Sequence, residues 1–105
     1  SAGVTMAVLL CSLIEGKPLR QDVALTGELN ISSTDQIEIT AIGGLHEKIK
    51  AAEFWKFSKV VIPIKNFEHS IDLRDYSIEV KGAKDLDEYL KEILVEEKDG
   101  ERKET

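Results

Sequence analysis

The spacing of hydrophobic positions changes several times along the 105-residue chain, which predicts alternating helices and strands. Apolar residues three and four positions apart, or in nearly unbroken runs, predict helices at residues 2–15, 45–57 and 85–95. Alternating or short continuous apolar runs predict strands at residues 22–31, 37–42, 60–64 and 76–80. The resulting order, α-β-β-α-β-β-α, predicts a layered α/β domain.

The first and last predicted helices differ in their apolar surface. Apolar or small residues fill nearly every position from Val4 to Ile14, which predicts a first helix buried on almost all sides. Gly16 suits the end of that helix, and Pro18 prevents its continuation. In the last helix Asp85 is placed as the cap or as an acidic residue of the first turn. One face of the last helix is apolar, at Leu86, Leu90, Ile93 and Leu94.

The predicted strands have two kinds of pattern. Residues 22–31 are interrupted by Gly27, and residues 37–42 alternate apolar and polar side chains, so the two are expected to form a hairpin. Residues 60–64 are continuously apolar, as in a buried parallel strand. Residues 67–75 are predicted to form a loop or a single helical turn.

The composition removes several classes of protein. Lys and Arg number 14 against 20 Asp and Glu, a formal charge of −6, which argues against a nucleic-acid groove because phosphate binding needs clustered Lys and Arg. No apolar run approaches the roughly 20 residues that span a bilayer. One Cys and two distant His argue against a disulfide framework and a zinc site. No cofactor or metal is therefore expected in this chain.

Lys48 is the most informative position of the second predicted helix. At about 100° per residue, it falls inside an apolar arc formed by Leu45, Ile49, Ala52 and Trp55. In a poorly solvated pocket the ammonium is disfavoured, and a neutral amine can act as a general base. The alternative is an ordinary Lys at the edge of the apolar face, whose stem reaches out to solvent.

Two hydroxyl-bearing positions offer further chemistry. Ser1 stands just ahead of the first helix, where it is either an N-cap or a nucleophile beside the unpaired N–H groups of the helix start. Thr26 precedes Gly27 within a predicted strand, and a Gly there marks a bulge or a close approach of the backbone. Thr26 is therefore either an ordinary sheet residue or a hydrogen-bond partner for a neighbouring amine.

Three segments of the chain follow one another in a specific order and spacing. They are S-A-G-V-T-M-A at residues 1–7, D-V-A-L-T-G-E at residues 22–28, and I-G-G-L-H-E-K at residues 42–48, continued by A-A at 51–52 and V-I-P at 61–63. Together they resemble the proteolytic domain of the Lon family of ATP-dependent serine proteases, in its bacterial and mitochondrial form. The resemblance covers the C-terminal half of that domain. Residues 1–95 are expected to belong to it, and residues 96–105, which have no apolar side chain, to form a disordered tail.

The resemblance implies a Ser–Lys dyad. Ser1 matches the family's nucleophile, Lys48 matches the base, and Thr26 matches the hydroxyl that helps to hold the Lys amine. The supporting positions implied in the same way are Gly27 and Glu28 in the T-G-E motif, and Ala2 and Gly3, whose backbone N–H groups would bind the oxyanion.

The resemblance also implies partners. Lon-type peptidase domains cleave unfolded or damaged polypeptides that an attached AAA+ ATPase delivers, with ATP and Mg²⁺ bound upstream, and the subunits form a ring, usually a hexamer. It implies an intracellular location, in the mitochondrial matrix or the bacterial cytoplasm. Neither a nucleic-acid nor a membrane partner is expected for this chain.

The chain departs from the family pattern at four places. The sequence starts at Ser1, so we expect a piece of a longer polypeptide, with little peptidase activity by itself. The turn at residues 32–36 is longer than usual, and the segment at residues 67–76 is shorter. The Gly expected after the second helix is replaced near Lys56, where a left-handed cap is harder to form.

Two other functions stay open at this point. In an N-terminal-nucleophile hydrolase, Ser1 would attack and its own α-amine would be the base. That mechanism leaves Lys48 and the T-G-E motif without a role. In a non-catalytic module, a Lon-like fold would serve assembly alone.

Overall fold

A computed structural model describes residues 2–69 and 71–95, without the side chains of Ala2 and His69. The predictions made for Ser1 and for residues 96–105 lie outside the described residues. The helices are α1 (Ala2–Glu15), α2 (Leu45–Phe54), α3 (Ile64–His69) and α4 (Leu86–Ile93), with a 3₁₀ turn at Leu73–Asp75. The strands are β1 (Val23–Leu25), β2 (Glu28–Ile31), β3 (Ile37–Thr40), β4 (Lys59–Pro63) and β5 (Glu79–Ala83). The mixed α/β class is therefore confirmed.

Strand β4 is the centre of the main sheet. It pairs in parallel with β1 on one side and with β5 on the other, with Val60 opposite both Ala24 and Val80. Its middle residues are buried on both faces, as predicted from the continuous apolar run at residues 60–64. A parallel sheet of this kind needs helices on both faces.

The helices supply two hydrophobic clusters, one on each face of the sheet. The first cluster joins α1 and α4 to the sheet through Val4, Val8, Val23, Val61, Ala83, Tyr89 and Ile93. The second joins α2 to the sheet through Leu45, Ile49, Ala52, Val60, Ile62 and Val80, with Phe67 of α3 packed against it. Successive residues of β4 belong to opposite clusters, because successive side chains of a strand point to opposite faces.

The segment predicted as one strand at residues 22–31 is divided. β1 belongs to the parallel sheet, whereas β2 pairs antiparallel with β3 in a separate hairpin, from Glu28 opposite Thr40 to Ile31 opposite Ile37. The hairpin itself is confirmed. The break falls at Thr26 and Gly27, where the chain leaves one sheet for the other.

Helix α1 has the predicted bounds but not the predicted burial. Val4, Val8 and Ser12, at intervals of four, are buried against the rest of the fold. Apolar side chains on the opposite side are exposed, among them Met6 at 58%, Leu13 at 70% and Ile14 at 81%. The prediction that α1 is buried on nearly all sides was therefore wrong for the described residues. Only one face of the helix packs against α4 and the hairpin. No helix among these residues is long and apolar enough to cross a membrane.

Helix α2 ends in a left-handed cap that contains no Gly. Lys56 has a φ of 67°, the N–H of Phe57 donates to Ala52 O at 3.0 Å, and the N–H of Lys56 donates to Glu53 O at 3.0 Å. This is the pattern of a Schellman cap, in which Gly is the favoured residue. The cap forms with Lys56 in the position that Gly favours. Its cost is steric strain, because the left-handed backbone brings the Cβ of Lys56 close to the following carbonyl oxygen.

Replacing Lys56 by Gly is therefore expected to stabilise the chain, by about 0.5–1 kcal/mol, since relief of strain exceeds the added entropy of the unfolded chain. Urea unfolding measures the difference. Lys91→Gly is the control, because it places Gly at a right-handed position inside α4. This variant should lower the free energy of unfolding by about 1 kcal/mol. A K56G protein no more stable than the wild type would contradict this account of the cap.

Candidate active site

The carboxyl ends of β1 and β4 define one edge of the parallel sheet, the edge where open α/β folds commonly bind ligands. Thr26 follows β1 directly, and Asn66 lies in α3, which follows β4 directly. The side chain of Asn66 bonds the backbone of Ile42, so the segment leading into α2 reaches the same edge. The opposite edge is marked by Ser58, whose N–H donates to Asp22 O at 2.8 Å. The first turn of α2 therefore lies on the carboxyl side.

The beginning of α1 packs against the T-G-E segment. A Cβ added to Gly3 would lie 3.3 Å from the backbone nitrogen of Leu29, and one added to Gly27 would lie 3.0 Å from Val4 Cγ2. The predicted oxyanion-binding positions, Ala2 and Gly3, form the first turn of this helix. The structure thus brings the helix start beside T-G-E, although Ser1 itself lies outside the described residues.

Thr26 is buried at this edge, with 4% of its surface exposed. Its N–H donates to Val61 O at 3.0 Å, and its carbonyl accepts from the Tyr89 hydroxyl at 2.8 Å. Its own hydroxyl oxygen, Oγ1, is buried and has no hydrogen-bond partner within residues 2–69 and 71–95. Because buried hydroxyls are normally paired, this atom is an available partner for a group that approaches the site.

Tyr89 is a site residue that the sequence analysis missed. It is fully buried in the first cluster, and burial raises its pKa, so the hydroxyl stays protonated and donates to Thr26 O. The signal was present, because Tyr89 lies three residues after Leu86 and four before Ile93 on the apolar face of α4. Tyr89 fixes the backbone at the point where the T-G-E segment begins.

Of the two alternatives for Lys48, the structure shows the exposed side chain and not the poorly solvated pocket. The buried stripe of α2 consists of Leu45, Ile49 and Ala52, whereas Trp55 lies beyond the helix and is 70% exposed. Without Trp55 the stripe is narrower, and Lys48, roughly 40° around the helix from Ala52, falls outside it and is exposed. Lys48 thus takes the alternative position, at the edge of the apolar face.

The Lys48 side chain nevertheless turns back over the start of its helix. Its Nζ lies 3.4 Å from Gly43 O, and a Cβ on Gly44 would lie 4.0 Å from the same Nζ. Side chains of a helix lean towards its N-terminus, which here is the carboxyl edge of the sheet. Lys48 therefore faces the edge that carries T-G-E, but in this structure it makes no hydrogen bond to Thr26 Oγ1.

Helix α2 is held at its other end by Glu53. The Glu53 carboxylate accepts from the backbone N–H groups of Ser77 and Ile78, from the Ser77 hydroxyl at 3.0 Å, and from Lys50 Nζ at 3.0 Å. The bond and ion pair with Lys50, followed by the Ser77 N–H, lower the pKa of Glu53 to about 2. The charged carboxylate thus joins α2 to the segment that leads into β5.

These features define a layered α/β domain. The start of α1, the T-G-E segment and the glycine turn, formed by Gly43 and Gly44, all lie at the carboxyl edge of its parallel sheet. The chain belongs to the Lon protease (S16) family, because the family model of the C-terminal proteolytic domain matches residues 1–96. The resemblance based on the three sequence motifs is therefore confirmed.

Curated relatives agree with this assignment. The chain is 43% identical over 82 residues to the Lon protease of Citrifermentans bemidjiense, covering 78% of this chain and 9% of that protein. It is 38% identical over 96 residues to Lon protease 1 of Sorangium cellulosum, covering 91% of this chain and 11% of that protein. It is 37% identical over 86 residues to Lon protease 2 of Desulfotalea psychrophila, covering 82% of this chain and 10% of that protein. The chain spans about a tenth of the length of these relatives.

The contact between T-G-E and its neighbours predicts the effect of a side chain at Gly27. A Cβ there would lie 2.7 Å from the Tyr89 hydroxyl oxygen, which is too close, so Gly27→Ala should lower the free energy of unfolding by about 1–3 kcal/mol. Gly43→Ala is the matched control, since its Cβ meets nothing within 4 Å and the change should stay within about 1 kcal/mol. Equal urea midpoints for the two variants would contradict the close approach.

The depressed pKa of Glu53 predicts a pH-dependent contribution to stability. Because the pKa of Glu53 is about 2 in the folded chain, against an ordinary value of 4.5, the contribution is complete above pH 4.5 and is lost as the pH falls towards 2. Glu53→Gln should therefore be less stable than the wild type at neutral pH, with a difference that narrows through this window.

Urea unfolding at a series of pH values measures that difference. Glu38→Gln, an exposed position on β3, is the matched control and should show no such convergence. A wild-type advantage over E53Q that stays constant from neutral pH to about pH 2 would refute the role of the carboxylate.

Proposed function

We propose that this chain supplies the Ser–Lys dyad of an ATP-dependent serine endopeptidase, with Ser1 as the nucleophile and Lys48 as the general base. The observation that carries the proposal is the buried, unpartnered hydroxyl of Thr26 at the edge where the start of α1 and the glycine turn of α2 also lie. A hydroxyl in this state suits a hydrogen bond to the Lys48 amine, the role that the family motif gives it.

The reaction is a two-step acyl transfer. The neutral Lys48 amine takes the proton of the Ser1 hydroxyl as its oxygen attacks the carbonyl carbon of a peptide bond. Backbone N–H groups of Ala2 and Gly3, in the first turn of α1, donate to the oxyanion. The Lys48 ammonium then protonates the leaving amine. Water, deprotonated by Lys48, hydrolyses the acyl-Ser1 ester and restores both groups.

The exposure of Lys48 adds one requirement. Water around the amine favours the ammonium, whereas a general base must be neutral. In the active protein, the bound polypeptide or the rest of the protein covers Lys48 and excludes that water. Gly27 and Glu28 support the site by fixing the backbone beside Thr26, where Gly27 lets Tyr89 and Val4 approach closely.

The wider function follows from membership in the family. We propose that the domain works with an AAA+ ATPase region of the same protein, which binds ATP and Mg²⁺ and delivers unfolded or damaged polypeptides. The subunits would form a ring of six, in the bacterial cytoplasm or the mitochondrial matrix. These proposals rest on similarity to Lon proteases roughly ten times as long as the chain.

The experiment uses the polypeptide that carries this chain at its full natural length. Ser1→Ala and Lys48→Met are each expected to reduce peptide hydrolysis by about 10³-fold or more, because a nucleophile and its base act as a unit. Lys91→Met, an exposed Lys on α4, is the matched control and should keep wild-type activity. A fluorophosphonate or peptide-boronate probe should label Ser1 in the wild type and not in K48M.

Other outcomes identify the alternatives. If K48M is labelled normally, while in a chain that begins at Ser1 acetylation of the α-amine blocks labelling, the protein is an N-terminal-nucleophile hydrolase. If Ser1 is not labelled at any chain length and S1A equals the wild type, the domain serves assembly alone. Either result rejects the dyad.

A further inference from the structure

Asn66 is a buried polar residue with an unusual pair of partners. It lies in α3 just beyond the carboxyl end of β4, with 4% of its surface exposed. Its amide oxygen accepts from the N–H of Ile42 at 2.9 Å, and its amide nitrogen donates to Ile42 O at 3.0 Å. One side chain thus satisfies both backbone groups of one residue, as a neighbouring strand would do.

Besides its bonds to Asn66, the segment is held by the half-buried Ile42 side chain, which packs against the second cluster. β3 ends at Thr40, and the hairpin belongs to a sheet separate from β4. Gly43 and Gly44 follow, and Gly44, the N-cap of α2 with a φ of 66°, has no side chain to cap the helix. In the part of the chain that the structure describes, no other hydrogen bond ties Ile42 to the fold. The Asn66 pair therefore supplies the hydrogen bonds that set the position of the Ile42 backbone in the approach to α2.

This approach is also where the Lys48 side chain rests. The Lys48 Nζ lies 3.4 Å from Gly43 O, and the Lys48 N–H donates to Gly44 O at 3.2 Å in the first turn of the helix. A shift of the two glycines would therefore move both the amine and the backbone of Lys48. Ile42 lies on the sheet side of this turn, and Asn66 controls its position.

We propose that Asn66 is a positioning residue for the Lys48 amine, because its paired bonds to Ile42 fix the glycine turn on which that amine lies. The inference rests on the proposed function, in which Lys48 is the general base. Asn66 touches neither the substrate nor the reacting atoms. Its effect passes through the backbone of residues 42–44.

The principal variant is Asn66→Ala, which removes both bonds to Ile42. Gly44→Ala disturbs the same turn from its other end, since its φ of 66° disfavours a side chain, and it leaves the core untouched. Val80→Ala is the control for lost stability: Val80 lies in the second cluster on β5 and takes no part in the turn. K48M is the control for the proposed function.

Activity is measured in the full natural polypeptide as kcat and KM for peptide hydrolysis over a range of pH. For N66A and G44A we expect kcat to fall about 10- to 100-fold with little change in KM, since small misplacements of a reacting group have effects of this size. The acidic limb of the rate profile should also shift, because the base sits in altered surroundings. V80A should keep the wild-type profile at a matched loss of thermal stability.

A second readout requires no activity. Hydrogen exchange of the Ile42 amide should be faster in N66A than in the wild type and should stay slow in V80A. This measurement tests the paired bonds between Asn66 and Ile42 directly. The inference is overturned if N66A and G44A keep the wild-type rate and pH profile, or if V80A alters both as much as N66A does. Should N66A fail to fold, G44A decides the matter. A fully active K48M would instead reject the proposed function, whereas an inactive K48M beside unchanged N66A and G44A rejects this inference alone.

Discussion

The parallel pairing of β4 with both of its neighbours is the constraint on which the rest of the structure depends. A central strand whose Val60, Val61 and Ile62 are buried needs apolar cover on both faces, so α1 and α4 lie on one side and α2 and α3 on the other. Strands that all run one way also gather their following loops at one edge. That single fact brings together segments that lie far apart in the sequence.

Side chains that bond to backbone groups complete this edge. Tyr89, from α4 on one face, holds the carbonyl of Thr26, and Asn66, from α3 on the other face, holds both backbone groups of Ile42. The two contacts are buried, so each is costly to leave unmade. The buried hydroxyl of Thr26 is the exception, because it has no hydrogen-bond partner among residues 2–69 and 71–95.

One side of α1 and the Lys48 side chain are both exposed to solvent. One side of α1 presents Leu13 and Ile14 to solvent, and Lys48 lies at the margin of the apolar stripe of α2 rather than within it. The proposed role of Lys48 as a general base requires surroundings that exclude water from its amine. The described residues leave Lys48 exposed, so the proposed function needs a further element that covers this side chain.

The sequence by itself determined the features that depend on local pattern. These include the bounds of α1, the hairpin, the buried parallel β4, the Asp85 cap, whose side chain accepts from the Glu88 N–H at 3.0 Å, and the three motifs that revealed the family. Local propensities and motif spacing are properties of neighbouring residues, so they can be read without a fold.

Only the tertiary structure decided which polar and apolar groups meet. It divided residues 22–31 between two sheets, exposed Lys48, gave Lys56 a left-handed backbone and buried Asn66 against Ile42. A helical wheel gives the direction of a side chain but not the width of the surface that covers it. Contacts across 24 residues, as between Asn66 and Ile42, depend on how the sheet brings the chain back on itself.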